Sequence, residues 1–536
     1  MGRSVTGVSE HFDCVIIGAG FSGLAMLAHL REAGLQCVVV DRQDGVGGTW
    51  RANRYPGVRT DSDYPIYSFS FSPEVRDEWR WTQRYALGAE VLAYLEFVAD
   101  RLDLRRDMRF GMDLQRAEFR DGAWHLTFAN GSIVSCKYLI SCMGILDQPI
   151  WPEVPGLDTF EGTLLHSMQW PSEGVDLTGK RVGLIGLGSS GLQILPAIAP
   201  ECAEVYVFQR QPNYVVDSTF FPVSDEEMEA TRRDYDRIWE RAKAHPFGVD
   251  MVVPDHGAMD VDDDERRRIF ESKWREGGHH FANETFHDLA TDPAASEAAS
   301  DFIRSKIREI VTDPVTAALL CPTDYSFNGK RVPTGHRYYE TYNRPNVYLV
   351  DVKSVPITRV TRDSIVVGDS AYPLDVLICA TGFDAMTGPL TRIDIVGRDG
   401  VTLREKWADG IRTNLGISVH GFPNFFMSIG PQTPYSNLPV PIQLGAQWVT
   451  RAIQFADRHG IQLEATRESE EWWAAEVDAA GRETVMYEEG LKAKAWFFGA
   501  NVPGKPRELL VYMGGGQKYQ ELCRAAEADG YRSFRA

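Results

Sequence analysis

Residues 13–42, DCVIIGAGFSGLAMLAHLREAGLQCVVVDR, decide how the rest of the chain is read. Cys14 to Ile17 is an apolar run of strand length, Ser22 to Ala33 has the length of a helix, and Gln36 to Val40 is a second apolar run. Gly18, Gly20 and Gly23 stand at the first turn in the spacing G-x-G-x-x-G. The first allows the turn, the second lets backbone approach a pyrophosphate, and the third lets helix and strand pack closely. The helix N-terminus then offers free N–H groups and a favourable dipole to the phosphates. Asp41 ends the second strand, where a carboxylate can hold a ribose 2′-hydroxyl. Together these features predict a dinucleotide cradle.

The pattern returns in residues 180–210, KRVGLIGLGSSGLQILPAIAPECAEVYVFQR, with Gly186, Gly188 and Gly191. Ser189 and Ser190 sit at the head of its helix and are expected to face the cofactor with the glycines. The second strand ends here in Gln209-Arg210 instead of an acid. An acid would repel a ribose 2′-phosphate, whereas an arginine grips it with a fork of donors. The first cradle therefore suits FAD or NAD, and the second suits NADP. A chain that holds FAD and NADPH in separate domains is built to pass hydride from nicotinamide to flavin.

The 536 residues exceed what one core supports, so two or three domains are expected. A formal net charge of −19 argues against nucleic acid or an anionic membrane as partner. Eight scattered cysteines with no C-x-x-C suit a reducing cytoplasm and offer neither a disulfide frame nor a metal site. They also supply no redox pair for a disulfide reductase, which leaves O2 as the natural acceptor of flavin electrons. The polar N-terminus lacks a signal core, although Gly2 and Thr6 fit a short acylation pattern.

Two further stretches carry a family resemblance. FEGTLLHSMQWP, residues 160–171, looks like neither a strand nor a clean helix. Through Phe160, Gly162, His166, Trp170 and Pro171 it matches F-x-G-x-x-x-H-x-x-x-W-P. GGTWRANRYPGVRTD matches G-G-x-W-x-x-x-x-Y-P-G-x-x-x-D through Gly47, Gly48, Trp50, Tyr55, Pro56, Gly57 and Asp61. In these and in most of its length the chain resembles the Baeyer–Villiger monooxygenases, cyclohexanone- and phenylacetone-type enzymes above all. It departs from them at Arg51 and Ala52, where relatives carry aromatics.

The resemblance implies an α/β fold of two Rossmann-like domains, with a helical insertion in the NADP domain. Residues 1–142 and 384–536 would bind FAD, and 150–215 with 333–380 would bind NADP. Residues 143–149 and 381–383 would be linkers, and 222–330 the insertion. It places Ser22, Thr49, Trp50 and Tyr67 at FAD, Lys330 with Arg210 at the 2′-phosphate, and Trp496 over bound NADP. Arg331 would stand at the flavin's reactive edge, oriented by Asp61. Tyr435, Ser436, Asn437 and Leu438 would shape the ketone pocket, and His166 with Trp170 would order the hinge. The implied reaction puts one oxygen from O2 beside a ketone carbonyl, through a peroxide at flavin C4a, to give an ester or lactone. The alternatives are an N- or S-oxygenating flavin monooxygenase and a flavoprotein that binds NADPH without turnover.

Overall fold

The computed structural model describes residues 10–218 and 221–535. The acylation pattern at Gly2 and Thr6 lies outside them.

The opening stretch folds as β1 (Glu10–Ile17), a helix α1 (Phe21–Glu32) and β2 (Cys37–Val40). The strand begins earlier than its apolar run because Glu10 to Phe12, as well as Cys14 to Ile17, pair with a long neighbour, β6. The first sheet also takes β3 (Met108–Arg109), β4 (Leu114–Arg120), β5 (Ala123–Phe128) and β6 (Ile133–Ser141). Its order is 394–396, β4, β5, β6, β1, β2, β3. Besides β1, β6 serves two partners: its first half pairs antiparallel with β5, and its last three residues pair parallel with Phe425–Met427. Chain from far downstream thus completes this sheet.

The second sheet is all parallel. β7 (Thr163–His166), β8 (Arg181–Ile185), β9 (Glu204–Gln209), β10 (Val347–Asp351) and β11 (Val376–Cys379) lie in the order β10-β9-β8-β11-β7. The helix α2 (Ser189–Ile198) follows β8 and repeats the first turn. The fingerprint stretch contains a strand after all: β7 enters the sheet edge beside β11, and a 3-10 turn, Ser167–Gln169, follows.

Each sheet carries its own apolar core. The intervening helices are divided between them. α3 (Asp225–Ala244) buries Tyr235, Ile238, Trp239 and Ala242 against Ile66 and Val440, residues of the first sheet's side. α4 (Pro293–Ile310) instead places Phe302, Ile303 and Ile307 in the core of the second. The insertion expected as one unit therefore straddles both. Two later helices, α5 (Pro439–His459) and α6 (Gly516–Ala528), pack on the first sheet's side, α5 lying along α1.

Candidate active site

The glycine turns show by their steric surroundings what they are for. A Cβ on Gly23 would lie 1.9 Å from the Gly18 carbonyl, and one on Gly191 would lie 2.0 Å from that of Gly186. These glycines let helix and strand touch. Gly188 differs: a Cβ there would meet nothing within 4 Å, which is the open approach a pyrophosphate needs. At Gly20 the nearest neighbour of such a Cβ is the Gly48 Cα, 3.3 Å away. Gly48 caps the turn that carries Thr49 and Trp50, so two glycine-bearing loops face each other across the mouth of the first cradle. Ser22 is buried in α1, and Trp50 meets the Tyr67 ring edge-on at 5.6 Å. The residues fit a dinucleotide in each cradle.

Asp41 directly follows β2, buried, and accepts from the Ala19 N–H at 2.7 Å and the Gln43 N–H at 2.8 Å. Burial raises its pKa, and these two N–H groups oppose the rise. In the second cradle Gln209 turns inward and donates to the Leu319 carbonyl at 2.8 Å, leaving Arg210 exposed at the strand end. Lys330 donates to the Gln211 side-chain carbonyl and lies over the Tyr325 ring. Burial, and then the charge of Arg210, push the Lys330 pKa down to about 8. Two cations held near each other, with no ion pair of their own among the described residues, can hold an anion.

Arg331 joins the two halves. Its Nη2 donates to the Asp61 carboxylate, and its Nη1 donates to the Ser189 hydroxyl at 2.6 Å, at the head of α2. Burial works against its charge, but Asp61 outweighs burial and raises the pKa further. The other Asp61 oxygen accepts from the Thr334 hydroxyl at 2.8 Å and faces Gln193 Nε2 at 3.5 Å. Gln193 in turn accepts from the Tyr55 hydroxyl at 3.1 Å, which gives the tyrosine of the second signature a partner. Thr334 and Gln193 carry no motif of their own; only the fold brings them to Asp61.

The stretch expected to shape the ketone pocket lies beside this pair. The Arg331 and Asp61 charges both act on Tyr435, whose pKa burial raises to about 12. Asn437 is buried and accepts from the Ser62 hydroxyl at 2.7 Å, while Ser436 donates to the Phe247 carbonyl at 2.9 Å. Leu438 caps α5. Trp496 is half-buried in a 3-10 turn, its ring 5.8 Å from that of Phe497. Arg51 does not enter the site: it pairs with Asp44 at 3.0 Å and Glu96 at 2.6 Å.

His166 ends β7 fully buried, between the rings of Trp151 and Phe383 at 5.3 and 5.9 Å. Its Nδ1 accepts from the Met168 N–H. Burial lowers its pKa, and the carbonyls of Gly382 and Ile150 partly oppose this. Those carbonyls belong to the two chain crossings between the sheets, which are tied where Ile150 N–H donates to Gly382 at 2.9 Å. Phe160 and Trp170 are buried nearby, Pro171 follows Trp170, and a Cβ on Gly162 would lie 2.5 Å from the Asp375 carbonyl.

Glu276, His280 and Glu284 are close enough to share a cation, but their charges are already met. Lys273 lies 2.8 Å from both glutamates. Burial opposes a proton on His280, yet Asp63 and Glu284 raise its pKa to about 9. All eight cysteines are buried thiols, and among the described residues no helix is long and apolar enough to cross a membrane.

Residues 16–80 match the NAD(P)-binding Rossmann-like domain family. A Baeyer–Villiger monooxygenase of Pseudooceanicola batsensis is 40% identical over 533 residues, spanning 98% of this chain and 96% of the relative. The chain belongs to the Baeyer–Villiger monooxygenases. Among solved structures of such enzymes, OTEMO in complex with FAD and NADP superposes with a TM-score of 0.94 at 38% identity, covering 98% of this chain and 100% of that one. The phenazine N-monooxygenase PhzNO1 of Lysobacter antibioticus is 39% identical, over 98% of this chain and 97% of its own. A Baeyer–Villiger monooxygenase sequence of this kind thus has a nitrogen-oxidising neighbour at equal distance.

Proposed function

We propose that the chain is an NADPH- and O2-dependent flavin monooxygenase that inserts one oxygen beside a ketone carbonyl, giving an ester or a lactone. The observation that carries this reading is Arg331, a permanent cation held between Asp61 and the head of the second cradle's helix.

FAD in the first cradle, reduced by NADPH from the second, supplies the activated oxygen. Gly18, Gly20 and Gly23, with Ser22, Asp41, Thr49, Trp50 and Tyr67, would hold the flavin nucleotide. Gly186, Gly188, Ser189, Ser190 and Gly191 would cradle the NADP pyrophosphate, Arg210 and Lys330 its 2′-phosphate, and Trp496 would cover it. Gln209 would support this end from within by its bond to Leu319. Arg331 stabilises negative oxygen where it approaches the carbonyl, because a preorganised fork needs no rearrangement as charge develops. Asp61 fixes that fork, and its second oxygen is held in place by Thr334. Tyr435, Ser436, Asn437 and Leu438 enclose the ketone and keep water away. His166, wedged where the chain crosses twice between domains, would govern their relative movement.

The test is a panel of cyclic and linear ketones with NADPH in air, read for a product one oxygen heavier. PhzNO1 makes aromatic N-oxidation the second reading. A phenazine in the same panel, oxidised while every ketone is left intact, would replace the first reading by the second.

A further inference from the structure

Arg331 lies deep in the protein, where burial works against its charge, yet 33% of its side-chain surface is open. It therefore lines an interior space. Asp61 takes Nη2 and Ser189 takes Nη1, which leaves further N–H groups of the guanidinium for a ligand.

A second polar group belongs to the same space. After Asp61, Tyr435 is the strongest electrical neighbour of Arg331, ahead of Tyr67. Such influence falls with distance, so the Tyr435 hydroxyl lies near the guanidinium. The two tyrosines differ in what holds them. Tyr67 stands edge-on to Trp50 and Phe21 at the first cradle, with ring centroids 5.6 and 5.5 Å away. Tyr435 belongs instead to the stretch expected at the ketone. Its N–H donates to the Tyr512 carbonyl at 2.8 Å, and its ring packs on those of Phe247 and Phe497 at 5.5 and 6.2 Å. The Ser436 hydroxyl and the Asn437 N–H both donate to the Phe247 carbonyl, at 2.9 and 2.8 Å, so the chain that carries this ring is fixed in place.

The hydroxyl at the end of that ring is unspent. It makes no hydrogen bond among the described residues. Nor is it shut in by packing: the Tyr85 hydroxyl is sealed without a partner, whereas Tyr435 is half-buried and its hydroxyl stays accessible. Burial pushes its pKa up to about 12, with Arg331 opposing the rise and Asp61 adding to it. At neutral pH the phenol therefore keeps its proton and is a donor.

We propose that the Tyr435 hydroxyl is a catalytic residue, which donates a hydrogen bond to the carbonyl oxygen of the ketone beside Arg331. This rests on the proposed oxygenation. The ketone oxygen gains negative charge as the carbonyl carbon is attacked. A donor held ready at that oxygen binds the charged form more strongly than the ketone itself, so its effect grows towards the transition state. Phenylalanine at this position would enclose the ketone equally well; only the hydroxyl adds the donor.

The test is infrared spectroscopy of cyclohexanone labelled with carbon-13 at the carbonyl, bound to the oxidised FAD enzyme with NADP+, where no turnover occurs. A hydrogen bond to the oxygen lowers the carbonyl stretching frequency. Tyr435→Phe keeps the ring and loses the donor, so it should raise the frequency of the bound ketone and weaken its binding about 2- to 12-fold. A fluorinated tyrosine at the same position, a more acidic donor of nearly the same shape, should move the band the opposite way, which a merely structural role would not do. With NADPH and air, kcat for ester formation in Tyr435→Phe should fall about 10- to 150-fold, as for a bond to a charged oxygen. A band that neither variant moves, or a site that takes up no ketone, would overturn the proposal. An unchanged kcat would overturn the catalytic role. A band that moves as expected on a ketone that is never oxygenated would support the contact and overturn the oxygenation alone.

Discussion

Arg331 and Asp61 meet with the carboxylate already engaged: one oxygen accepts from the guanidinium, and the other from the Thr334 hydroxyl at 2.8 Å. A carboxylate fixed on both oxygens cannot swing, so it sets the direction of the arginine fork. Thr334→Val removes the second tether and keeps both charges. Losing one such bond should lower product formed per NADPH about 2- to 12-fold, with the rate of flavin bleaching by NADPH unchanged. Equal loss of bleaching would assign Thr334 to cofactor placement instead.

Arg210 stands exposed beyond β9 and should serve only the 2′-phosphate. Arg210→Ala removes a charge-assisted contact worth about 1.5–3 kcal/mol, or roughly 10- to 150-fold in NADPH affinity. NADH affinity should barely change, and KM values for the two cofactors on one preparation check this.

Lys330 gives that site a pH dependence. Its pKa is depressed to about 8, so its charge is present below that pH and lost as the pH rises through it. Bound phosphate favours the charged form, so NADPH binding takes up a proton. The KM for NADPH should climb from pH 8 to 10 more steeply than that for NADH. Lys330→Met should flatten the climb while raising the NADPH value at pH 7.

The glycines of the second cradle separate folding from binding. Gly188→Ala adds a methyl to open space at φ −76°, so stability should stay within about 0.5 kcal/mol while NADPH affinity falls. Gly191→Ala drives a methyl to 2.0 Å from a backbone carbonyl and should cost about 1–3 kcal/mol or more. Thermal melting beside cofactor titration distinguishes them.

The cradles were legible in the sequence because their physics is local: a glycine turn, a helix and a strand lie within thirty or so consecutive residues. Asp61 and Arg331 are far apart in the chain, and only the family likeness brought them together before the structure did. Gln193 and Thr334 gave no signal, since a glutamine inside a helix and a threonine in a two-residue strand are ordinary until tertiary contact sets them against Asp61. The packing partners of the inserted helices were not legible for a related reason. Helical spacing shows that Tyr235, Ile238 and Trp239 share a face, but not which sheet that face will cover. β7 was hidden because it is four residues long and lies at a sheet edge.

The central claim is that Arg331 acts on the oxygen-transfer step, and Arg331→Ala tests it most directly. Stopped-flow reduction by NADPH and product analysis are run on the same preparation. Hydride transfer needs alignment but no cation at the oxygen, so bleaching should persist within a few-fold. Losing one preorganised donor should cut ester formation about 100- to 1000-fold, with hydrogen peroxide released in its place. Lysine restores the charge without the fork and should rescue little. Normal ester yield in Arg331→Ala would contradict the proposed site, and loss of bleaching with no other change would make Arg331 a cofactor-positioning residue.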